Sequence, residues 1–175
     1  MGRIFQIAQL GHPVLRRKAE PVAEIDGTVI ELIDDLFATS ADANGAGIAA
    51  PQIYVSLRVF ILSIHPTPRY PNAPQMPPTA VINPEVLHVS SKTETDWEGC
   101  FSVPGIRGRV PRPKTISVRY STRKGKQIEC DFSGFAARVF LHEYDQLEGL
   151  TWLDHMEDNR DIVSEKEYLR LVSVG

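Results

Sequence analysis

The sequence predicts an α+β fold, with strands that pair with their chain neighbours and a few helices set apart from them. Two observations carry this. Thr115-Ile-Ser-Val-Arg-Tyr120 alternates apolar and polar side chains, and Lys124-Gly125-Lys126 turns it back into a second strand over 127–132. By contrast, Val29, Ile33, Leu36 and Phe37 recur at helical spacing, with Leu32 widening the stripe, which predicts an amphipathic helix over 27–42. No internal repeat is present, and 175 residues suit a single domain, 1–175, with a sizeable core.

In chain order, residues 3–20 hold short apolar pieces around Gly11-His12-Pro13, a turn that a short helix can follow. The first helix ends at Asn44-Gly45. Gly45-Ala-Gly-Ile-Ala-Ala-Pro-Gln52 is rich in small residues and suited to neither regular structure. Arg58-Val-Phe-Ile-Leu-Ser-Ile64 is β-branched and apolar, a buried strand. Prolines at 66, 68, 71, 74, 77 and 78 make 65–78 an irregular surface loop. Strands over 80–82 and 86–89 are interrupted at Asn83-Pro84, and the polar stretch 90–97 leads into Glu98-Gly-Cys-Phe-Ser102. Ser133 suits the N-cap of a helix over 134–148 closed by Gly149, and Ser164 with Glu167 suits a capping box opening a last helix over 164–172.

The bulk properties exclude several classes. A net charge of −3 and a pI near 5.9 give no nucleic-acid signature. No apolar run approaches the roughly 20 residues that span a bilayer, and the start of the chain lacks a signal peptide's apolar core. Two cysteines, Cys100 and Cys130, make no disulfide framework, so a reducing compartment is expected.

The chemistry centres on His142-Glu-Tyr-Asp-Gln146. On a helix each residue turns about 100°, placing Gln146 about 40° and Glu143 about 100° from His142. An imidazole, an amide and a carboxylate therefore share one face, with Phe135 and Val139 on the stripe before them. Two histidines at this spacing, with Glu after the first, would form a metal site with a general base. Here Gln146 takes the second place. Taken alone, the pair reads more readily as a surface His-Glu pair. Cys100 reads as a small buried hydrophobe or, between Gly99 and Phe101, as part of a stretch whose backbone can approach a ligand closely. The 45–52 stretch reads as a simple turn or as a loop whose backbone approaches a ligand, Gln52 donating to a developing oxyanion.

Together these stretches resemble the peptide deformylases. The family carries GxGxAAxQ, EGCxS and HExDHxxG in this order, and the chain has Gly45-Ala-Gly-Ile-Ala-Ala-Pro-Gln52, Glu98-Gly-Cys-Phe-Ser102 and His142-Glu-Tyr-Asp-Gln-Leu-Glu-Gly149. The likeness extends to Leu10-Gly-His-Pro-Val-Leu-Arg16 and to Ser102-Val-Pro-Gly-Ile-Arg107 through Pro111-Arg112. It implies antiparallel or mixed sheets around a central HExxH-type helix, flanked by an N-terminal and a C-terminal helix. It also implies a metal-dependent hydrolase that removes the formyl group from the N-terminal methionine of new proteins. Cys100, His142 and Gln146 would hold one divalent metal, Fe²⁺ first and Zn²⁺, Ni²⁺ or Co²⁺ as alternatives. Glu143 would take a proton from the attacking water and pass it to the leaving amine, while Gln52 and the Phe101 N–H stabilise the oxyanion. Gly45, Gly47 and Ile48 would meet the peptide, Glu98 and Arg107 would support the site, and Phe135 and Val139 would line the methionine pocket. The implied partners are formyl-methionyl nascent chains and the ribosome carrying them, in a bacterial cytoplasm or an organelle.

Gln146 departs from the family's third histidine ligand. Its amide oxygen has similar reach but is a weaker, harder donor for late first-row metals, so looser or altered metal binding is expected. His88 and His155 lie at no ligand spacing. The rival reading is a deformylase-like protein that binds formyl-peptides with little or no turnover. A thiol nucleophile at Cys100 would leave Glu143 without a task.

Overall fold

The computed structural model describes residues 2–67 and 70–173. Pro68, one of the six prolines expected to keep 65–78 irregular, lies outside them. The α-helices are α1 (Gly27–Asp42), α2 (Gly134–Leu147) and α3 (Glu165–Ser173). The strands are β1 (Gly47–Ala49), β2 (Val59–Leu62), β3 (Thr79–Val89), β4 (Thr93–Cys100), β5 (Val103–Pro113), β6 (Thr115–Ser121), β7 (Gln127–Ser133) and β8 (Ile162–Ser164). They form an antiparallel five-stranded sheet ordered β1-β2-β3-β6-β7 and a three-stranded sheet ordered β4-β5-β8.

The layering follows from β2. Successive strand side chains point to opposite faces, and all four residues of β2 are buried. Val59 and Ile61 join Val29, Leu32, Ile33 and Leu36 of α1. Phe60 and Leu62 join Ala136, Ala137 and Phe140 of α2, Phe60 meeting Phe140 edge-on at 5.0 Å. At β2 the sheet is thus sandwiched between α1 and α2, which is why β2 runs apolar without alternation. Four buried aliphatic side chains on α1, at about 1.5–3 kcal/mol each, fix that helix to the sheet. Asp26 caps it, its Oδ1 accepting from Val29 N at 3.0 Å.

Several elements differ from expectation. The Asn83-Pro84 interruption is a bulge inside one long β3, with a register shift between Ile82 and Glu85. Asn83 tolerates a φ of +50°, and its amide pairs with Val22 through two 2.8 Å hydrogen bonds. The small-residue stretch after Gly45 forms β1 and a 3-10 turn over Ala50–Ile53, held straight by pairing with β2. Polar residues 93–97 form most of β4, because their partner β5 is a strand despite its prolines. β8 covers only Ile106–Gly108, so one edge of β5 beyond Gly108 is open, where residues lacking an N–H are tolerated. Ser133 precedes α2 without a side-chain capping bond. Ser164 accepts from Glu167 N at 3.3 Å, half of the expected capping box.

Candidate active site

A cleft of about 370 Å³ opens between the exposed edges of the two sheets, β1 on one side and β4 on the other, with α2 as its floor. Gly149, at φ +75°, ends the turn after α2. A Cβ there would lie 2.8 Å from the Arg16 backbone, so only glycine lets the N-terminal segment pass.

From α2 come Phe135, Val139, His142 and Glu143, all lining the cleft. Glu143 is buried, and its Oε2 has no hydrogen-bond partner among the described residues. Burial pushes its carboxyl up to about 7, with Glu98 and Asp145 adding to the rise and His142 opposing it. Gly47 of β1 lies directly opposite: a Cβ there would fall 2.9 Å from both Glu143 Oε1 and Ile61 O. The chain needs glycine at this point because any side chain would occupy the carboxylate's space.

Gln52 follows β1 in the 3-10 turn. Its Oε1 accepts from Ala49 N at 2.9 Å, which aims the amide N–H groups at the cleft. Nε2 lies 3.2 Å from Ser102 Oγ and 3.5 Å from Cys100 Sγ. The Phe101 ring covers Gly45, where a Cβ would come within 2.6 Å of it.

From β4 come Glu98 and Cys100. Glu98 is buried and bound bidentately by Arg112, at 2.9 and 3.0 Å. Arg138 approaches the same carboxylate at 3.4 Å, and so does His142 Nδ1. Arg112 reaches on to Asp145 Oδ2 at 2.7 Å. Burial would raise Glu98, but the hydrogen bond and charge of His142, with Arg112, hold it down at about 2. Burial would likewise lower His142, yet its contacts with Cys100 and Glu98 raise it well above the ordinary histidine range. The contacts with Cys100 and the Glu98 carboxylate therefore favour positive charge at this imidazole.

The same field suits a cation. With Nδ1 committed to Glu98, the other ring nitrogen of His142 is left for the Cys100 side, the usual way an outer carboxylate fixes a ligand's tautomer. Among the described residues no three His, Cys, Asp or Glu side chains converge to hold a metal ion. A third candidate donor is Gln146, buried on α2, whose Nε2 donates to Cys100 Sγ at 3.0 Å and whose Oε1 is buried with no partner among the described residues. An orphaned amide oxygen beside a thiol and an imidazole fits a divalent ion once the amide rotates, exchanging its oxygen and nitrogen.

Other expected site residues lie elsewhere. The Ile48 side chain is fully buried in the α1 layer, so it faces away from the cleft; alternation along β1 sends it to the opposite side from Gly47. Arg107 is buried behind the cleft, donating from Nε to Glu165 at 2.8 Å. His155 Nε2 lies 2.9 Å from Asp145 Oδ2 without hydrogen-bond alignment, and His155 is not among the residues lining the cleft. His88 lies exposed on β3. Sequence reasoning missed Arg112, Arg138 and Asp145 as the frame of the site. One signal was available: Arg112 shares strand parity with Gly108 and Val110, and an inward arginine demands a buried carboxylate.

A helix-borne His-Glu pair in a cleft, faced by a cysteine and a glutamine amide, defines a hydrolase centre on an α+β scaffold. The polypeptide deformylase profile matches residues 4–161. Peptide deformylase 2 of Nostoc sp. is 49% identical over 171 residues, 97% of this chain and 96% of that protein. Peptide deformylase 2 of Shewanella oneidensis is 41% identical, over 86% of this chain and 83% of its own. Among solved structures, the Met-Ala-Ser-bound class I type b peptide deformylase of Acinetobacter baumannii superposes with a TM-score of 0.87 at 40% identity, covering 89% of this chain and all of that one. The chain belongs to the peptide deformylase family, and that family implies a divalent metal. No α-helix among the described residues is long and apolar enough to cross a membrane.

Proposed function

We propose that this chain hydrolyses the formamide of N-formyl-methionyl peptides, wherever new chains start with formyl-methionine, in a cytoplasm or an organelle, near the ribosome. The observation that carries the reading is the convergence of Cys100, His142, Glu143 and Gln52 on one cleft beside two sheet edges. Cys100, His142 and Gln146 Oε1 would hold the metal, Fe²⁺ by preference, with Zn²⁺, Ni²⁺ and Co²⁺ able to replace it. When bound it would supply an electrophile that acidifies water and polarises the formyl oxygen.

The chain's own groups do the rest. Glu143, with its raised proton affinity, accepts a proton from the attacking water and returns it to the departing amine. Gln52 Nε2 and the Phe101 N–H meet the negative charge that builds on the formyl oxygen. Glu98 holds the His142 ring in one orientation. Gly47 and Gly45 leave room for an extended peptide along β1. Phe135 and Val139 receive the methionine side chain, whose thioether packs well against an aromatic ring.

The expected result is release of formate from formyl-Met-Ala-Ser by protein loaded with Fe²⁺, Co²⁺ or Ni²⁺. Glu143→Gln should lower kcat by roughly 10²–10⁴-fold while metal content stays unchanged. A second reading is favoured by the Gln146 amide, whose Nε2 donates to Cys100 Sγ at 3.0 Å. In that reading the chain binds formyl-peptides without turnover. If no metal supports hydrolysis, but Gln146→His both binds metal and turns over, the second reading replaces the first.

A further inference from the structure

The hydrolytic chemistry gives α3 no task, yet this helix is seated on the site and on little else. Among its described residues only Tyr168 is buried and Glu165 partly so, the others being exposed. Apolar burial therefore does not explain where α3 sits. Both inward residues meet one group, the Arg107 guanidinium. Glu165, which lines the cleft, accepts from Arg107 Nε at 2.8 Å, and the Tyr168 ring lies under the guanidinium with its centroid at 4.4 Å. Residues three apart on a helix share a face, so α3 grips the cation at two points. Strand pairing delivers it there, since Val163 of β8 stands opposite Arg107 and α3 begins two residues later.

Arg107 is 1% exposed, and a buried cation keeps its place only when its partners are matched in geometry. The backbone of β4 closes a third side. A Cβ at Gly99 would lie 3.1 Å from Arg107 Cζ and 3.3 Å from Nε, so the guanidinium packs directly against this glycine. With Glu165, Tyr168 and Gly99 around it, the group has one position. From that position Nη1 donates to the Tyr70 hydroxyl at 3.1 Å. Tyr70 comes from the proline-rich loop, which has few backbone bonds of its own to hold it, and its ring lies 5.0 Å from that of Phe135. Tyr70 and Phe135 both line the cleft. A continuous set of contacts thus runs from α3 through Arg107 to the ring that faces the methionine side chain.

We propose that Glu165 of α3 is a positioning residue, which with Tyr168 fixes Arg107 and through it sets Tyr70 against Phe135 as one wall of the methionine pocket. The inference rests on the deformylase reading for which side chain enters that pocket. It is tested on metal-loaded protein by calorimetric titration with the unformylated peptides Met-Ala-Ser and Ala-Ala-Ser, so that no turnover is required. The wild-type protein should bind Met-Ala-Ser more tightly, and Glu165→Ala should lower that affinity ratio about three- to tenfold. In turnover of formyl-Met-Ala-Ser the same variant should raise KM by a similar factor and leave kcat and metal content unchanged. Glu165→Gln, whose amide oxygen can still accept from Arg107, should retain part of the ratio. Tyr70→Phe should lower the ratio as well, and adding Glu165→Ala to it should change little more, because the link through which Glu165 acts is already cut. Leu171→Ala, at a 56% exposed position of the same helix, should leave the ratio intact. An unchanged ratio in Glu165→Ala, effects that add in the double variant, or equal binding of both peptides to the wild-type protein would overturn the proposal. Absence of formate release from formyl-Met-Ala-Ser, with the ratio present in the wild-type protein and lost in Glu165→Ala, would instead count against the deformylase reading alone.

Discussion

The layer between α1 and the five-stranded sheet and the layer between α2 and the β4–β5 hairpin are both built of buried side chains, yet they share almost no chemistry. The first is aliphatic, with Ile33, Leu36, Ile48, Ile61 and Ile82 at its centre. The second holds Glu98, Arg112, Arg138 and Asp145, all buried. Apolar burial is non-directional and scales with area, so the α1 layer fixes the scaffold without aiming any particular atom. Buried charges must be matched in geometry and number. The second layer therefore holds one carboxylate against His142 Nδ1 and leaves that ring aimed at Cys100. Stability comes chiefly from one layer and orientation from the other.

Breaking each layer sharpens the contrast. Arg112→Leu strands the Glu98 and Asp145 carboxylates without their shared partner, and a loss of about 3–5 kcal/mol is expected in denaturant unfolding. Metal affinity should fall with it, because His142 loses its fixed acceptor. Leu36→Ala removes a fully buried side chain from the α1 layer and should cost roughly 2–5 kcal/mol through the cavity it leaves. Metal content and KM should not change; if they do, the two layers are coupled and the division proposed here fails. Asp26→Ala removes only the cap of α1, and the same unfolding measurement should show about 1 kcal/mol.

Legibility followed the same division. Residues 27–42 were readable as a helix to the residue, since their apolar spacing and the Asn44-Gly45 stop are local. The β6–β7 hairpin was readable from its alternation and turn. β4 and β5 were not, because charged partners bury their inward faces, and charges look like surface in a sequence. Ile48 was expected at the peptide and lies in the α1 layer, since the side to which a residue of so short a strand points depends on its pairing with β2.

By itself, then, the sequence determined the elements with strong local periodicity, the three motifs that identify the family, and the substitution at Gln146. Tertiary structure alone decided which charges meet: Arg112 finds Glu98 across 14 residues and Asp145 across 33. It also decided that the Gln146 amide presents an N–H to Cys100, 46 residues away, while its oxygen lies buried with no partner among the described residues. Periodicity is set by neighbours within a turn or a pleat, whereas charge compensation joins residues that only the folded chain brings together.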